Sequence, residues 1–315
     1  MKPIIIDGNL IASRIIESVS EKLRNFSDGK PVLASISVGK NPSVESYIRN
    51  QQVICQKAGI THSHIDFPSG TNRREILEMI SRLNSDVAVS GIIINLPFDS
   101  QRLGLHDEKE IVRAVSPHKD VEGLHPSNMG ALFNPSHARR HAIFPTAPMA
   151  VIECIRTVVS NLKGKEVVIV GHSEIVGKPL ALMLLASEHS SPTVTVCHIA
   201  TKALASHTRR ADMLVTAVGR AGFITKDMVK EGAVVIDVGI NRIEVVDDRG
   251  KKIINPATGQ PRTRIVGDVN FDEVQEVAYA ITPVPGGVGP VTSSILARNT
   301  MNLFFASRQY PAKRR

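Results

Sequence analysis

Three cysteines in 315 residues, Cys55, Cys154 and Cys197, are too few and too far apart for a disulfide framework or a paired-thiol metal or redox motif. They are expected as buried thiols in a reducing compartment. Tryptophan is absent and aromatics make up only 4% of the chain, which leaves no series of stacking platforms for single-stranded nucleic acid. No apolar run approaches the roughly 20 residues that cross a bilayer, so no membrane partner is expected. The opening "MKPIIIDG" has only three isoleucines before Asp7, too short a run for the core of a secretion signal, and a cytoplasmic protein is expected.

Charge of one sign is in excess, with 38 Lys and Arg against 30 Asp and Glu and a formal balance of +8. The basic pairs Arg73-Arg74, Arg139-Arg140 and Arg209-Arg210 are scattered, and the terminal "AKRR" reads as a solvated tail. That pattern argues against nucleic acid and fits a small polyanionic ligand. The sequence also lacks HExxH and G-x-S-x-G. His62 with His64, and His137 with His141, have no carboxylate partner in a metal-binding motif, so no metal is expected.

What is present is alternation of buried-strand and helical patterns. "VLASISV" (32 to 38), "THSHIDF" (61 to 67) and the near-continuous apolar "VAVSGIIINLP" (87 to 97) read as strands. A helix over 43 to 58 and an amphipathic helix capped near Thr71 lie between them. A second series follows the Pro-rich stretch 135 to 148, with a helix around 149 to 161 and strands "EVVIV", "TVTVCH", "DMLVTAV" and "AVVIDVG". Segment 242 to 265 reads as a hairpin with "DDRG" at its turn. The fold class is therefore α/β, with two domains and parallel sheets.

Two glycine-rich stretches stand out. In "VVIVGHSEIVGKP" a strand ends at Gly171, with Ser173 and Gly177 before a helix start, a context in which free N–H groups and a positive dipole end favour phosphate. Neither standard fingerprint fits: a P-loop needs one residue fewer between its glycines and Ser or Thr after Lys178, and the Rossmann pattern lacks its middle glycine. In "ITPVPGGVGPVT" two prolines and three glycines precede a helix, so a flat ligand can lie on bare backbone. A carboxylate pair, Asp120 and Glu122, sits in "SPHKDVEGLHP" after a predicted helix.

Taken with "YIRNQ", "GIIINLP", "IDVGINR" and "VGDV", in this order and spacing, these stretches closely resemble the methylenetetrahydrofolate dehydrogenase/cyclohydrolase family from residue 4 to residue 300. The resemblance implies a folate domain of residues 1 to 145 with 290 to 315, and a Rossmann-like domain of residues 146 to 289. It implies a homodimer formed through the nucleotide domain, with folate in a cleft facing the nicotinamide. The implied activity is oxidation of 5,10-methylenetetrahydrofolate to the methenyl form with NADP or NAD, followed in most members by hydrolysis to 10-formyltetrahydrofolate. Tyr47, Gln51, Asn95 and Glu122 fall at the family's catalytic positions. Pro283, Pro285, Gly286 and Gly287 fall at substrate-binding positions, and Gly171, His172, Ser173, Gly177, Ile199 and Ile240 at cofactor positions.

The chain departs from that pattern at chemically telling places. Gln51 stands where the family has lysine, Asn95 where it has glutamine, and Glu122 where it has aspartate. Hydride loss leaves a cation stabilised by the folate nitrogens and mainly needs positioning, whereas hydrolysis moves protons and needs a titratable group. Gln51 cannot titrate, so a dehydrogenase with weak or absent hydrolysis is expected, against a fully bifunctional enzyme or a degenerate folate-binding regulator. His172 and Ile199 replace an arginine and a small polar or basic residue near the 2′-phosphate of NADP. No acid ends "TVTVCH" to receive an NAD ribose, so the choice of dinucleotide is open.

Overall fold

The computed structural model describes residues 2–100, 102–133, 143–186, 191–247, 250–254, 256 and 259–309. His137, His141, the Arg139-Arg140 pair, Asp248 and Arg249 of the hairpin turn, and "AKRR" lie outside the described residues. In chain order come β1 (Ile4–Ile5), α1 (Gly8–Arg24), β2 (Val32–Val38), α2 (Pro42–Ala58), β3 (Thr61–Phe67), α3 (Arg73–Ser85) and β4 (Gly91–Ile94). Next are α4 (Leu105–Ala114), α5 (Pro126–Ala131), α6 (Thr146–Arg156), β5 (Glu166–Val170), α7 (Gly177–Leu185), β6 (Thr193–Cys197) and α8 (Leu204–Thr208). The chain continues through β7 (Met213–Thr216), β8 (Val234–Asp237), β9 (Asn241–Glu244), β10 (Thr263–Val266), α9 (Phe271–Val274), β11 (Ala280–Ile281) and α10 (Val288–Gln309). Among the described residues no helix is long and apolar enough to cross a membrane.

Contacts divide the chain into two compact units, one of Ala12–Thr146 with Thr292–Arg315 and one of Met1–Ile11 with Ala147–Val291. The first is built on a parallel sheet of order β3-β2-β4. Alternate residues of a strand face opposite sides. Ala34, Ile36 and Val38 pack with Ile92, Ile94, Ile76, Ile80 and Ile111 on one side. On the other, Leu33 and Ile93 pack with Ile54, Cys55 and Ala58 of α2 and with Leu296, Ala297 and Met301 of α10. Each such buried aliphatic side chain contributes about 1.5–3 kcal/mol relative to exposure. The second face also carries Ser35 and Ser37, both buried, which leaves a polar row inside an otherwise apolar layer.

Helix α2 begins where Asn41 accepts from the backbone N–H of Ser43 and Val44, with Pro42 in the first turn. It ends at Gly59, whose left-handed φ of 81° lets its N–H close on Cys55 and Gln56. Its buried stripe runs Val44, Ile48, Gln51, Ile54, Cys55 and Ala58. Helical spacing therefore places Gln51 inward, in line with aliphatic neighbours.

One boundary differs from expectation. Strand β4 starts at Gly91 rather than 87, because Asp86 holds a turn through its carboxylate to the N–H of Ala88 and its carbonyl to that of Val89. The α3 cap, expected near Thr71, falls on the adjacent Asn72, whose side chain accepts from Glu75 N–H.

The second unit carries a six-stranded parallel sheet of order β1-β11-β8-β7-β5-β6 around a core that includes Val168, Val170, Leu214, Val235 and Ile281. The N-terminal residues, expected with the folate domain, instead lie with this unit through residue 11. The reason is backbone pairing: Ile4 N–H donates to Tyr279 and Ile6 N–H to Ile281, which adds β1 beside β11. The excursion over 241 to 266 is an antiparallel hairpin of β9 and β10.

Candidate active site

Tyr47, Gln51, Asn95 and Glu122 all lie in the first unit. Gln51 and Asn95 are 1% and 2% exposed, so each of their polar atoms needs a partner. Gln51 Nε2 donates to Asn95 Oδ1 at 2.7 Å, Asn95 Nδ2 donates to Ser35 Oγ at 2.8 Å and to Ile36 O at 2.9 Å, and Ser35 Oγ donates to Gln51 Oε1 at 3.0 Å. The three side chains close a ring. The two substitutions, glutamine on α2 and asparagine after β4, satisfy each other without any charge.

Tyr47 sits one turn earlier on α2, half-buried, with its hydroxyl hydrogen-bonded by the Gln51 side chain. Burial, and secondarily the charge of Glu122, raise its pKa far above the ordinary phenol value. Glu122 is held by the loop after α4. There Asp120 accepts four donors: the N–H groups of Glu122, Gly123 and His125 at 3.2, 3.0 and 2.7 Å, and Asn128 Nδ2 at 2.9 Å. Asn299 of α10 ties the same loop through Val121 O at 2.9 Å. Asp120 is thus a structural anchor, its oxygens taken by four donors of its own loop. Burial, with Asp120 beside it, pushes the Glu122 carboxyl up to about 8. At neutral pH this group of four carries no lysine-type cation and one carboxyl poised to titrate.

The second unit holds Gly171, His172, Ser173, Gly177 and Ile199 of the predicted nucleotide residues at the carboxyl ends of β5 and β6, where open α/β sheets bind ligands, and Ile240 after β8. Gly171 has a φ of +128°, and a Cβ on Gly177 would lie 1.9 Å from Gly171 O. Only glycines permit this tight return of the chain into α7, and the bare turn fits a phosphate approaching the backbone. Ser173 Oγ accepts from Val176 N–H at 3.1 Å and so braces the turn. His172 and His198, both exposed, lie in contact with ring centroids 4.9 Å apart and their planes tilted by 56°. Ile199 beside them is exposed and offers no hydrogen bond. Lys202, also exposed, is the nearest cation in sequence.

Pro283, Pro285, Gly286 and Gly287 line a cavity of about 380 Å³ in this unit, together with Ile240. The residue predicted with the cofactor set thus shares a wall with those predicted for substrate. Sequence reasoning missed Asn9, Asp237 and Ile265 in the same wall. Buried Asp237 accepts from the N–H groups of Gly239, Asp268 and Val269, while buried Asp268 accepts from those of Val218, Gly219 and Arg220. These bonds explain why "IDVG" and "VGDV" need their acids: Asp237 fixes the loop that carries Val238, Gly239 and Ile240 of the cavity wall, and Asp268 fixes the loop after β7. Burial raises the Asp237 carboxyl to about 6 despite its donors.

His106, Asp107 and Glu110 form the one cluster of metal-ligand type among the described residues, and Arg73 bridges its two carboxylates at 3.4 and 2.6 Å. All three cysteines are buried free thiols, with Cys55 and Cys154 pushed up to about 12 by burial.

Residues 6–122 match the family model for the catalytic domain of tetrahydrofolate dehydrogenase/cyclohydrolase, and residues 145–308 match the model for its NAD(P)-binding domain. The chain belongs to the tetrahydrofolate dehydrogenase/cyclohydrolase family. The bifunctional protein FolD of Sulfurihydrogenibium is 42% identical over 304 residues, covering 96% of this chain and 97% of that protein. Among solved structures, the bifunctional FolD dehydrogenase/cyclohydrolase of Campylobacter jejuni is similar with a TM-score of 0.83 and 35% identity, covering 96% of this chain and 98% of that one. The FolD of Trypanosoma brucei, solved with NADP cofactor and an inhibitor, is similar with a TM-score of 0.85 and 32% identity over 98% and 99% of the two chains. In this member of the tetrahydrofolate dehydrogenase/cyclohydrolase family, two side chains beyond the sequence reading, Ser35 and His62, join the Gln51 network. The signal for Ser35 was its place in the serine alternation of "VLASISV"; for His62 there was none in isolation.

Proposed function

We propose that this chain oxidises 5,10-methylenetetrahydrofolate to 5,10-methenyltetrahydrofolate with NAD(P)+ in one-carbon metabolism, and hydrolyses the product poorly or not at all. The dinucleotide, when bound, supplies the hydride acceptor. The chain's own groups bind and orient: the Gly171 to Gly177 turn receives phosphate, the Pro283 to Gly287 wall offers flat apolar backbone, and Tyr47 directs a hydroxyl at the folate.

The observation that carries the reading is Gln51. It is buried, both ends of its amide are engaged by Ser35 and Asn95, and it has no proton to exchange at neutral pH. The carbocation left by hydride loss needs no such exchange, whereas water addition does. Glu122 supports a second reading, that of a fully bifunctional enzyme, because its carboxyl titrates near 8 and can pass a proton. For the cofactor, His172 and Ile199 in place of charged contacts predict a narrow preference between NADP and NAD. A homodimer in the cytoplasm completes the proposal.

Purified protein mixed with 5,10-methylenetetrahydrofolate and each dinucleotide in turn tests it. Reduction of at least one dinucleotide supports the enzyme. If both ligands bind and neither dinucleotide is reduced, a folate-binding regulator replaces it.

A further inference from the structure

The face of β2 and β3 turned toward α2 carries a line of polar side chains that the proposed chemistry has not used. Residues paired in register on adjacent strands point the same way, so Ser35 and Ser37 share a face with His64 and Asp66, and His62 precedes them beside Leu33. His62 Nε2 lies 3.4 Å from Gln51 Oε1, a long contact, and its ring stacks on His64 with centroids 6.4 Å apart. His64 Nε2 is 2.9 Å from Ser37 Oγ, which donates to Asp66 Oδ1 at 2.8 Å.

Counting donors and acceptors fixes the polarity of this line. Gln51 Oε1 can only accept. The proton at the His62 contact is therefore on Nε2, and Nδ1 keeps the lone pair. At the other end, Ile36 O accepts from Asn95 Nδ2 and so turns Asn95 Oδ1 toward Gln51 Nε2. Gln51 is thus oriented from both sides, with its NH₂ facing Asn95 and its side chain beside the Tyr47 hydroxyl one turn earlier on α2.

We infer that His62 is a positioning residue of the folate site, donating from Nε2 to hold the Gln51 amide so that Tyr47 presents its proton to the bound substrate. This rests on the folate reading above. It agrees with the direction in which burial, and next His64, move His62: its pKa is lowered, which keeps the ring neutral at neutral pH and gives its tautomer meaning. The titratable group beside it is His64 on its own strand, with Asp66 further along the same face; the adjacent β2 turns only Leu33, Ser35 and Ser37, none of them charged, to this face.

Two measurements test the inference together. In protein labelled with ¹⁵N-histidine, with His62 assigned by its loss in His62→Asn, the ring is expected in the Nε2–H form. An acceptor at this place, His62→Asp, opposes Gln51 Oε1 and is expected to raise the KM for 5,10-methylenetetrahydrofolate about 3- to 10-fold, the scale of one neutral hydrogen bond. His62→Asn, which can present its NH₂, is expected within about twofold of the unaltered protein. The dinucleotide KM and the melting midpoint should not follow this pattern, which separates positioning from a folding defect. An Nδ1–H ring, or equal folate KM values in all three proteins, overturns the inference. No dinucleotide reduction by the unaltered protein is a different failure: it removes the folate reading, and with it this role for His62 whatever the tautomer.

Discussion

Gln51→Lys introduces a group that titrates, and the structure lets both its cost and its benefit be worked out. The new ammonium can donate to Asn95 Oδ1 and the Tyr47 hydroxyl, but it cannot accept. Ser35 Oγ and His62 Nε2 both lose their acceptor at a position that is 1% exposed. Half-exposed His62 can turn to water, which leaves the buried Ser35 hydroxyl as the one unsatisfied donor, worth roughly 1–3 kcal/mol. For a unit of this size that corresponds to a fall in melting midpoint of roughly 2–12 °C. Burial lowers the pKa of an amine, and Glu122, raised to about 8 and so mostly protonated at neutral pH, opposes that shift only weakly, so a lysine able to exchange protons near neutrality is expected. General acid–base help is worth about 10²–10⁴-fold, which is the ceiling of the gain in hydrolysis. We expect at least about a tenfold rise in methenyltetrahydrofolate hydrolysis, read as decay of methenyl absorbance with no dinucleotide present, and a smaller change in hydride transfer. Asn95 is one methylene short and Glu122 one long for the family's lysine site, so adding Asn95→Gln and Glu122→Asp should increase the gain. No gain in either the single or the triple variant, with folding intact, would refute the reasoning that residue 51 limits hydrolysis.

Three further outcomes follow from the same geometry. His172→Arg should move the ratio of kcat/KM toward NADP by about tenfold, because charge-assisted bonds to phosphate are the strong ones; an unchanged ratio would give the phosphate to Lys202. Glu122 has a folded-state pKa raised from 4.5 to about 8, so the folded protein holds the extra proton between these values. Its contribution to stability is complete below about 4.5 and is lost as pH rises through about 8, so chemical denaturation from about pH 6 to 9 should show a decline that Glu122→Gln flattens. Asp120→Ala removes the acceptor of four donors in the loop that carries Glu122, and calorimetry should show a loss of roughly 2–4 kcal/mol; a loss below 0.5, a surface-like value, would mean the loop is held elsewhere.

The fold was legible where pattern and local chemistry agree. "THSHIDF" reads as a strand and is one, Thr61–Phe67, and the helical stretch read over 43 to 58 is α2, Pro42–Ala58. Strand β4 was overread because Val87 is apolar yet 95% exposed, a surface position in a turn that Asp86 controls. The membership of residues 1 to 11 was invisible for a different reason: β1 is two residues long, and its place is decided by pairing with β11, about 275 residues later in the chain. In the candidate site, the family resemblance singled out Tyr47, Gln51, Asn95 and Glu122 one at a time. It could not reveal that Gln51 and Asn95 bond each other, or that His62 closes on Gln51, since those are contacts between α2, β3 and the end of β4. The carboxylates Asp120 and Glu122 look alike in "KDVEG"; only the four donors on Asp120 separate the anchor from the titrating group.

The central claim is that oxidation and hydrolysis are uncoupled in this chain because residue 51 carries no exchangeable proton. The most direct test follows methenyltetrahydrofolate and reduced dinucleotide together in one reaction of the unaltered protein. The account predicts that both rise in equal amounts while 10-formyltetrahydrofolate appears only at the rate of methenyltetrahydrofolate in buffer alone. Formation of 10-formyltetrahydrofolate in step with the reduced dinucleotide, with no methenyl accumulating, would contradict it and assign water activation to a group other than residue 51.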